Sequence, residues 1–336
     1  MLQQLRFNEQ FIKSVAHLFF QRILAADAGK NMARNDMILA VDIGGTKTAL
    51  GLVGSDDRLS ADAKIDTVAD FGALVDKVYG AADALLRTNG LTWESIGRAG
   101  IACPGPLNIP KGLIVNVATT GWKNIPITRL FRERLGRETF LINDCKAAAL
   151  GEYRFGAGKG CPSMAYMTVS TGIGGALVLD GRLHDGRFGN AGEFGHLTAE
   201  ENGLPCGCGK RGCLELYASG TAIARVYGEK TGEKRTAKEI GLLARRGDGA
   251  ASETLTGAAV YLGRAIATVF IVAEPELLVI GGGVSRMYDL MRETVEQTVA
   301  AQLPRCYEKM TIRTQALDGN QNLYGAAICA KEGVLH

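Results

Sequence analysis

The chain has 336 residues, which at roughly 100–200 residues per domain predicts two domains, each burying its own core, and excludes a peptide hormone or a lone binding module. Hydrophobic residues make up 46% and charged residues 22%, which excludes disorder and coiled coil; the net charge of +3 is too small to make nucleic acid the main partner. Glycine is in excess, 44 of 336 with no collagen period, so the glycines mark tight turns or places where backbone approaches a ligand.

In residues 1–36, Leu2, Leu5, Phe7, Phe11, Ile12, Val15, Phe19, Ile23 and Leu24 recur at near-helical spacing, while Lys13 and Arg22 spoil a signal-peptide core. The stretch reads as an N-terminal extension, either a start codon placed upstream of Met32 or Met37 or a small docking helix. Residues 37–43 (MILAVDI) form a strand, followed by Gly44-Gly45-Thr46-Lys47 and a second strand over 48–53. Strand, glycine turn, strand is a hairpin, whereas a Rossmann or P-loop fingerprint opens a helix directly after its glycines. Helical periodicity covers 70–89 and 127–136, and residues 98–103 form a strand ending in Pro104-Gly105-Pro106. A short strand over 139–142 hands over at Asn143-Asp144 to a helix running to about Phe155.

Around residues 156–160 (GAGKG) the chain crosses into a second half. It holds a strand at 166–169, the turn STGIGG at 170–175, a strand at 176–179, a long helical region at 221–274, a strand at 277–280 followed by Gly281-Gly282-Gly283, and a terminal helix at 322–332. DIGGTKTALGLVGSDDR and VSTGIGGALVLDGR repeat one order: strand, Thr/Gly turn, strand, polar turn. Two similar α/β halves predict related domains facing a shared cleft. The expected division is 37–155 for a smaller N-terminal domain, with the helix at about 322–336 packed back on it, and 156–321 for a larger C-terminal one. No apolar run approaches the roughly 18 residues that span a bilayer, so no membrane partner is expected.

Asp42 with Gly44, Gly45, Thr46 and Lys47 makes a polar turn whose backbone N–H groups can bind phosphate oxygens. An ordinary hairpin is the alternative, but the recurrence at Thr171, Gly172, Gly174 and Gly175, with a third cluster at Gly281, Gly282 and Gly283, predicts a nucleotide site. Asp144 stands where open α/β sheets keep reactive groups. It could equally be a plain helix N-cap; polar Asn143 beside it favours a hydroxylated ligand. In phosphoryl transfer Asp144 would accept the proton of the attacking hydroxyl while the glycine turns and Mg²⁺ hold the phosphates.

His196, Cys206, Cys208 and Cys213 put three thiolates and one imidazole within 18 residues, which fits a closed, structural zinc. Three packed, reduced cysteines are the alternative, but Lys210 and Arg211 between them mark a surface loop. Eight cysteines in all fall far below disulfide-scaffold density, so a reducing compartment, the cytoplasm, is expected. Glu193 and Glu215 flank the loop; with Asn143 and Asp144 they suit several sugar hydroxyls at once, solvated surface acids being the alternative.

DIGGTK at 42–47, NDCKAAALGE at 143–152, STGIGG at 170–175, AGEFGH at 191–196 and CGCGKRGCLELYASG at 206–220 together resemble the ROK family of bacterial sugar kinases and sugar-responsive repressors, over about residues 37–332. The resemblance implies an actin-like (hexokinase-like, ribonuclease H-like) two-domain α/β fold with an interdomain cleft and a structural zinc loop. It implies ATP and Mg²⁺, Asp144 as general base, Zn²⁺ on His196, Cys206, Cys208 and Cys213, sugar contacts from Asn143, Glu193, His196 and Glu215, and a homodimer. Many glucokinases of the family carry Asn-Leu shortly before Gly-Trp, the Asn touching the sugar. Here the stretch is Thr119-Thr120-Gly121-Trp122, so Thr119 is the candidate contact, shorter and without the amide. Glu193 favours glucose or N-acetylglucosamine over those N-acetylmannosamine kinases with His at this place. A glucokinase-like transfer to a hexose 6-hydroxyl therefore ranks first, N-acetylglucosamine or N-acetylmannosamine next, and a sugar-responsive regulator is the alternative. The family's repressors carry a winged helix-turn-helix; residues 1–36 hold one plausible helix and only Arg6, Lys13, Arg22, Lys30 and Arg34 as basic groups, no room for a recognition helix and its support.

Overall fold

Met37–Ile43 (β1) is buried along its whole length except at Asp42, and a strand apolar on both faces belongs in the middle of a sheet covered on both sides. The structure is a computed structural model and describes residues 36–117, 120–187, 189–307 and 311–333. The readings made for residues 1–35, for Thr119 and for residues 334–336 fall outside them.

β1 pairs antiparallel with Lys47–Val53 (β2) and parallel with Ile96–Cys103 (β4); Leu59–Asp66 (β3) and Glu138–Asn143 (β8) complete the order β3-β2-β1-β4-β8. Between β4 and β8, Leu107–Asn108 (β5), Leu113–Val117 (β6) and Trp122–Ile125 (β7) form a separate antiparallel sheet. The second half builds Met164–Val169 (β9), Ile173–Leu179 (β10), Arg182–Leu183 (β11), Leu277–Gly281 (β12) and Thr311–Thr314 (β13) into the order β11-β10-β9-β12-β13. Antiparallel and parallel pairings fall at the same places in both five-stranded sheets. The repeat visible in the two glycine hairpins is thus a repeat of a whole sheet.

Phe71–Thr88 (α1) starts at Asp70, whose carboxylate accepts from the Ala73 N–H, and buries Phe71, Leu74, Val75, Val78, Ala82 and Leu86 at helical spacing. With Ile127–Leu135 (α2), which stops at left-handed Gly136, it covers one face of the first sheet. Asp144–Phe155 (α3) lies on the other face and serves two cores. Ala147 and Leu150 pack with the first sheet, while Ala148 and Ala149 pack with Met164, Tyr166 and Val178 of the second.

The helical region at 221–274 divides into Gly220–Thr231 (α4), Ala237–Arg245 (α5) and Gly249–Ala273 (α6), and Arg292–Gln302 (α7) follows β12. The sequence expectation that no apolar run approaches a bilayer's thickness fails at α6. By length and composition this 25-residue helix could span one, since Glu253 near its start and Arg264 are its only charged residues. Its buried side instead packs Leu255, Leu262, Ile266 and Phe270 into the second core with Val295 and Val299 of α7. Gln321–Glu332 (α8) returns to the first sheet beside α3. A Cβ on Gly325 would overlap the Ala147 carbonyl, and one on Gly100 of β4 the Ala326 carbonyl; these backbones touch.

Candidate active site

Strand register brings the site together. Asp42 is level with Ala102 in β4, and Cys103 of β4 is level with Asn143, so Asp42 and Asn143 stand along the rim that the carboxyl ends of β1, β4 and β8 form, the edge of the first sheet that faces the site. In the second sheet Thr168 is level with both Gly174 and Gly281, which aligns the second and third glycine clusters. The edges meet at α3: a Cβ on Gly174 would strike the Cys145 thiol, next to Asp144. Only glycine allows that approach.

The cap of α3 is Asn143, not Asp144: the Asn143 side-chain oxygen accepts from the Cys145 N–H at 3.0 Å and the Lys146 N–H at 3.3 Å. That fixes the amide so that its NH₂ lies beside Gly105. Asp144 is the first helical residue. Burial holds its carboxyl above the usual carboxylate range, opposed by the Cys145 N–H 2.8 Å from Oδ1. Burial also pushes Asp42 up from 3.8 to about 6, against a lowering hydrogen bond from Asn322 and with a further rise from the charge of Asp144. Two carboxyls with raised pKa at one sheet edge are what proton transfer near neutrality uses.

The glycine turns are rigidly held. Gly44 N–H donates to Lys47 O, and Gly44 O accepts from the Thr67 hydroxyl at 2.8 Å. Gly45 and Thr46 are exposed; Lys47, also exposed, ion-pairs with Asp66. In the second turn the N-terminus of α4 acts as a latch, Gly220 N–H donating to Ser170 O at 2.7 Å and the Thr221 hydroxyl to Thr171 O at 2.8 Å. Gly282 N–H in the third donates to Gln315 Oε1 at 3.0 Å.

His196 is set between two carboxylates. Its Nδ1 lies 3.6 Å from Glu215 Oε1 and 3.8 Å from Cys206 Sγ, and its Nε2 lies 4.0 Å from Glu193 Oε2. Glu215 also accepts from Cys206 Sγ at 3.1 Å and comes 3.1 Å from where a Gly172 Cβ would be, which ties this loop to the second glycine turn. The donor atoms of His196, Cys206, Cys208 and Cys213 all lie within 4.8 Å of one another, with Cys208 Sγ and Cys213 Sγ at 3.6 Å. Zn–S bonds of about 2.3 Å would set tetrahedral sulfurs about 3.8 Å apart, so the group fits one zinc ion. Gly212, at φ +70°, has no room for a Cβ against Glu200 O, and the Lys210 N–H helps hold the Cys208 thiol below its usual range.

A cavity of about 860 Å³ opens between the halves. Asn143 and Glu193 line it together, with residues 105–110 on one side and the loop before Glu193 on the other. Asn143, Asp144, Asp42 and the glycine clusters thus gather at the joined sheet edges. Glu193 faces the cavity, and Glu215 sits between the thiols and Gly172. Asn322, Gln315 and Lys146 were not foreseen as site residues. Asn322 read only as the start of a helix, and Lys146 only as part of a motif. The one signal for Lys146 is a charge in a stretch otherwise rich in alanine.

A profile described as the ROK family matches residues 38–333. A glucokinase of Thermotoga maritima is 33% identical over 316 residues, covering 88% of this chain and 98% of that one. An N-acetylmannosamine kinase of Escherichia coli O1:K1 is 32% identical over 299 residues, covering 88% of this chain and 99% of that one. The crystal structure of a ROK family glucokinase from Streptomyces griseus, in complex with glucose and AMPPNP, has a TM-score of 0.77 at 30% identity and covers 88% of this chain and 100% of that one.

Proposed function

The chain belongs to the ROK family and has its actin-like, hexokinase-like α/β fold, and from that premise we propose that it is an ATP-dependent sugar kinase acting on the 6-hydroxyl of a hexose. Glucose is the first choice, with N-acetylglucosamine and N-acetylmannosamine next. The observation that carries the reading is Asp144, a carboxyl of raised pKa where the edges of the two sheets meet beside a cavity that reaches Asn143 and Glu193.

In this reading Asn143, Glu193 and the Nε2 side of His196 orient the sugar, and the Asp144 carboxylate takes the proton of the 6-hydroxyl as its oxygen attacks the γ-phosphorus and ADP leaves. The turns around Gly44, Gly172 and Gly282 offer backbone N–H groups to the phosphates. Mg²⁺ bound with the nucleotide supplies charge neutralisation on the phosphoryl oxygens, with Asp42 the carboxylate available to it. A Zn²⁺ on His196, Cys206, Cys208 and Cys213 would lock the loop that carries His196 and sets Glu215.

Glucose is supported by Glu193, and the N-acetylhexosamines by a cavity much larger than a hexose. The deciding experiment is an ADP-release assay over glucose, N-acetylglucosamine, N-acetylmannosamine, mannose, fructose and allose, compared by kcat/KM. Sugar-stimulated ADP release with formation of the 6-phosphate is the expected result; ATP turnover indifferent to every sugar would overturn the reading.

A further inference from the structure

Lys146 is the third residue of α3, two after Asp144, and only 5% of it is exposed. A lysine so buried must be paired. Its ammonium forms an ion pair with Asp185 Oδ1 and donates to Gly189 O at 2.9 Å and, at the limit of hydrogen bonding, to Asp185 O at 3.5 Å. An ammonium has three N–H donors, and these three acceptors engage all of them. Lys146 is therefore spent on the protein and has no N–H left for a substrate.

All three acceptors belong to the loop between β11 and Glu193. The loop closes on itself, with Ala191 N–H donating to Asp185 O at 3.0 Å and Gly189 N–H to Gly186 O at 3.3 Å. Behind it Gly192, at φ +94°, presses against Gly175 of β10, with 2.7 Å between its Cβ position and the Gly175 carbonyl. The next residue is Glu193. The loop is one wall of the 860 Å³ cavity, and Lys146 lines the same cavity from α3.

We propose that Lys146 is a positioning residue that fixes the sugar-side wall, and through it Glu193, to the helix carrying Asp144. Two elements from different halves of the chain are pinned about half a helical turn from the base. An offset of about 1 Å between sugar and base can cost on the order of 10²-fold in rate, so the clamp sets how well the sugar's hydroxyl meets Asp144. The catalytic consequence rests on the kinase reading; the clamp itself does not.

The test compares Lys146→Met, which keeps length and removes charge, and Lys146→Arg, which keeps charge, by amide hydrogen exchange without ligands and by steady-state kinetics. In Lys146→Met, exchange across residues 185–191 should quicken about 10-fold or more while that of α6 stays unchanged, as expected for local rather than global opening. The sugar KM should rise about 10-fold and kcat fall, with the ATP KM within about 2-fold, because only sugar placement is lost; Lys146→Arg should recover part of both effects. Unchanged exchange across 185–191, or sugar and ATP KM rising together, would overturn the proposal. If Lys146→Met does not fold, the same two readouts on Lys146→Arg decide it, because a planar guanidinium cannot reproduce the three contacts. If the wild-type chain phosphorylates no sugar, the kinase reading fails while the exchange measurement still decides the clamp.

Discussion

Asn322, at the start of α8, donates its side-chain N–H to Asp42 Oδ1 at 3.0 Å, joining the last helix to the first strand across 280 positions of sequence. The bond holds down an Asp42 pKa that burial raises to about 6. Removing it in Asn322→Ala should lift that pKa further, leaving less carboxylate near neutrality. The expected outcome is an acid limb of kcat displaced to higher pH, with the largest loss below pH 7 and partial recovery above pH 8. A pH profile of kcat at saturating ATP and sugar checks this.

Asp144→Asn should lower kcat by at least about 10²-fold, the low end for loss of a general base, with sugar binding preserved. It should also stabilise the fold. A carboxyl whose folded pKa lies above its unfolded value adds stability below the unfolded value and loses it as pH rises through the folded one, so the variant's advantage should widen from pH 4 to pH 8. For Asp42→Asn the same reasoning sets an upper bound of about 3 kcal/mol, from a carboxyl raised from 3.8 to about 6. Thermal midpoints across that pH range decide both.

Metal analysis should find about one zinc per chain. Cys213 is buried among the candidate ligands, while Cys306 is exposed and remote in sequence from them. Cys213→Ser should lose the metal and several kcal/mol of stability, and Cys306→Ser neither, because structural zinc contributes folding energy directly. Elemental analysis beside urea unfolding separates the two variants.

Gly325→Ala should destabilise by about 1–3 kcal/mol, the usual cost of forcing atoms into a packed contact, because its Cβ would meet the Ala147 carbonyl. Gly257→Ala in α6 has open space around the new methyl and should stabilise by about 0.5–1 kcal/mol. Denaturant midpoints of the pair measure the effect of close backbone approach against that of glycine alone.

Much of this was readable from residues alone, because the signals were local. A glycine hairpin, a strand handing over to a helix at Asn143-Asp144 and three thiols within eight positions each declare themselves in a short window. β3 escaped because its edge pattern of half-exposed residues carries few large apolar side chains, and β13 because four residues show no period. The sheet of β5, β6 and β7 hid behind prolines that read as turn. Asn322 and the Lys146 clamp rest on pairings across 280 and 39 positions, which only the fold brings into contact. Lys47 read as part of the phosphate turn, yet its ammonium pairs with Asp66, since the hairpin register sets the two opposite each other.

The covering of the first sheet by α8 has a consequence for the order in which the protein can be made. Ile38, Ala40 and Ala102 leave the ribosome with the first sheet, but Leu323, Ala326 and Ala327, which cover them, follow only after the whole second sheet. At roughly 5–20 residues per second, about 180 residues and some 10–40 s of translation separate the end of β8 from the start of α8. Until then the nascent chain carries an apolar face with half of its covering missing. A ribosome stalled between β8 and α8 would therefore hold up a chaperone substrate, and synthesis of the twelve residues of α8 is what completes the cover.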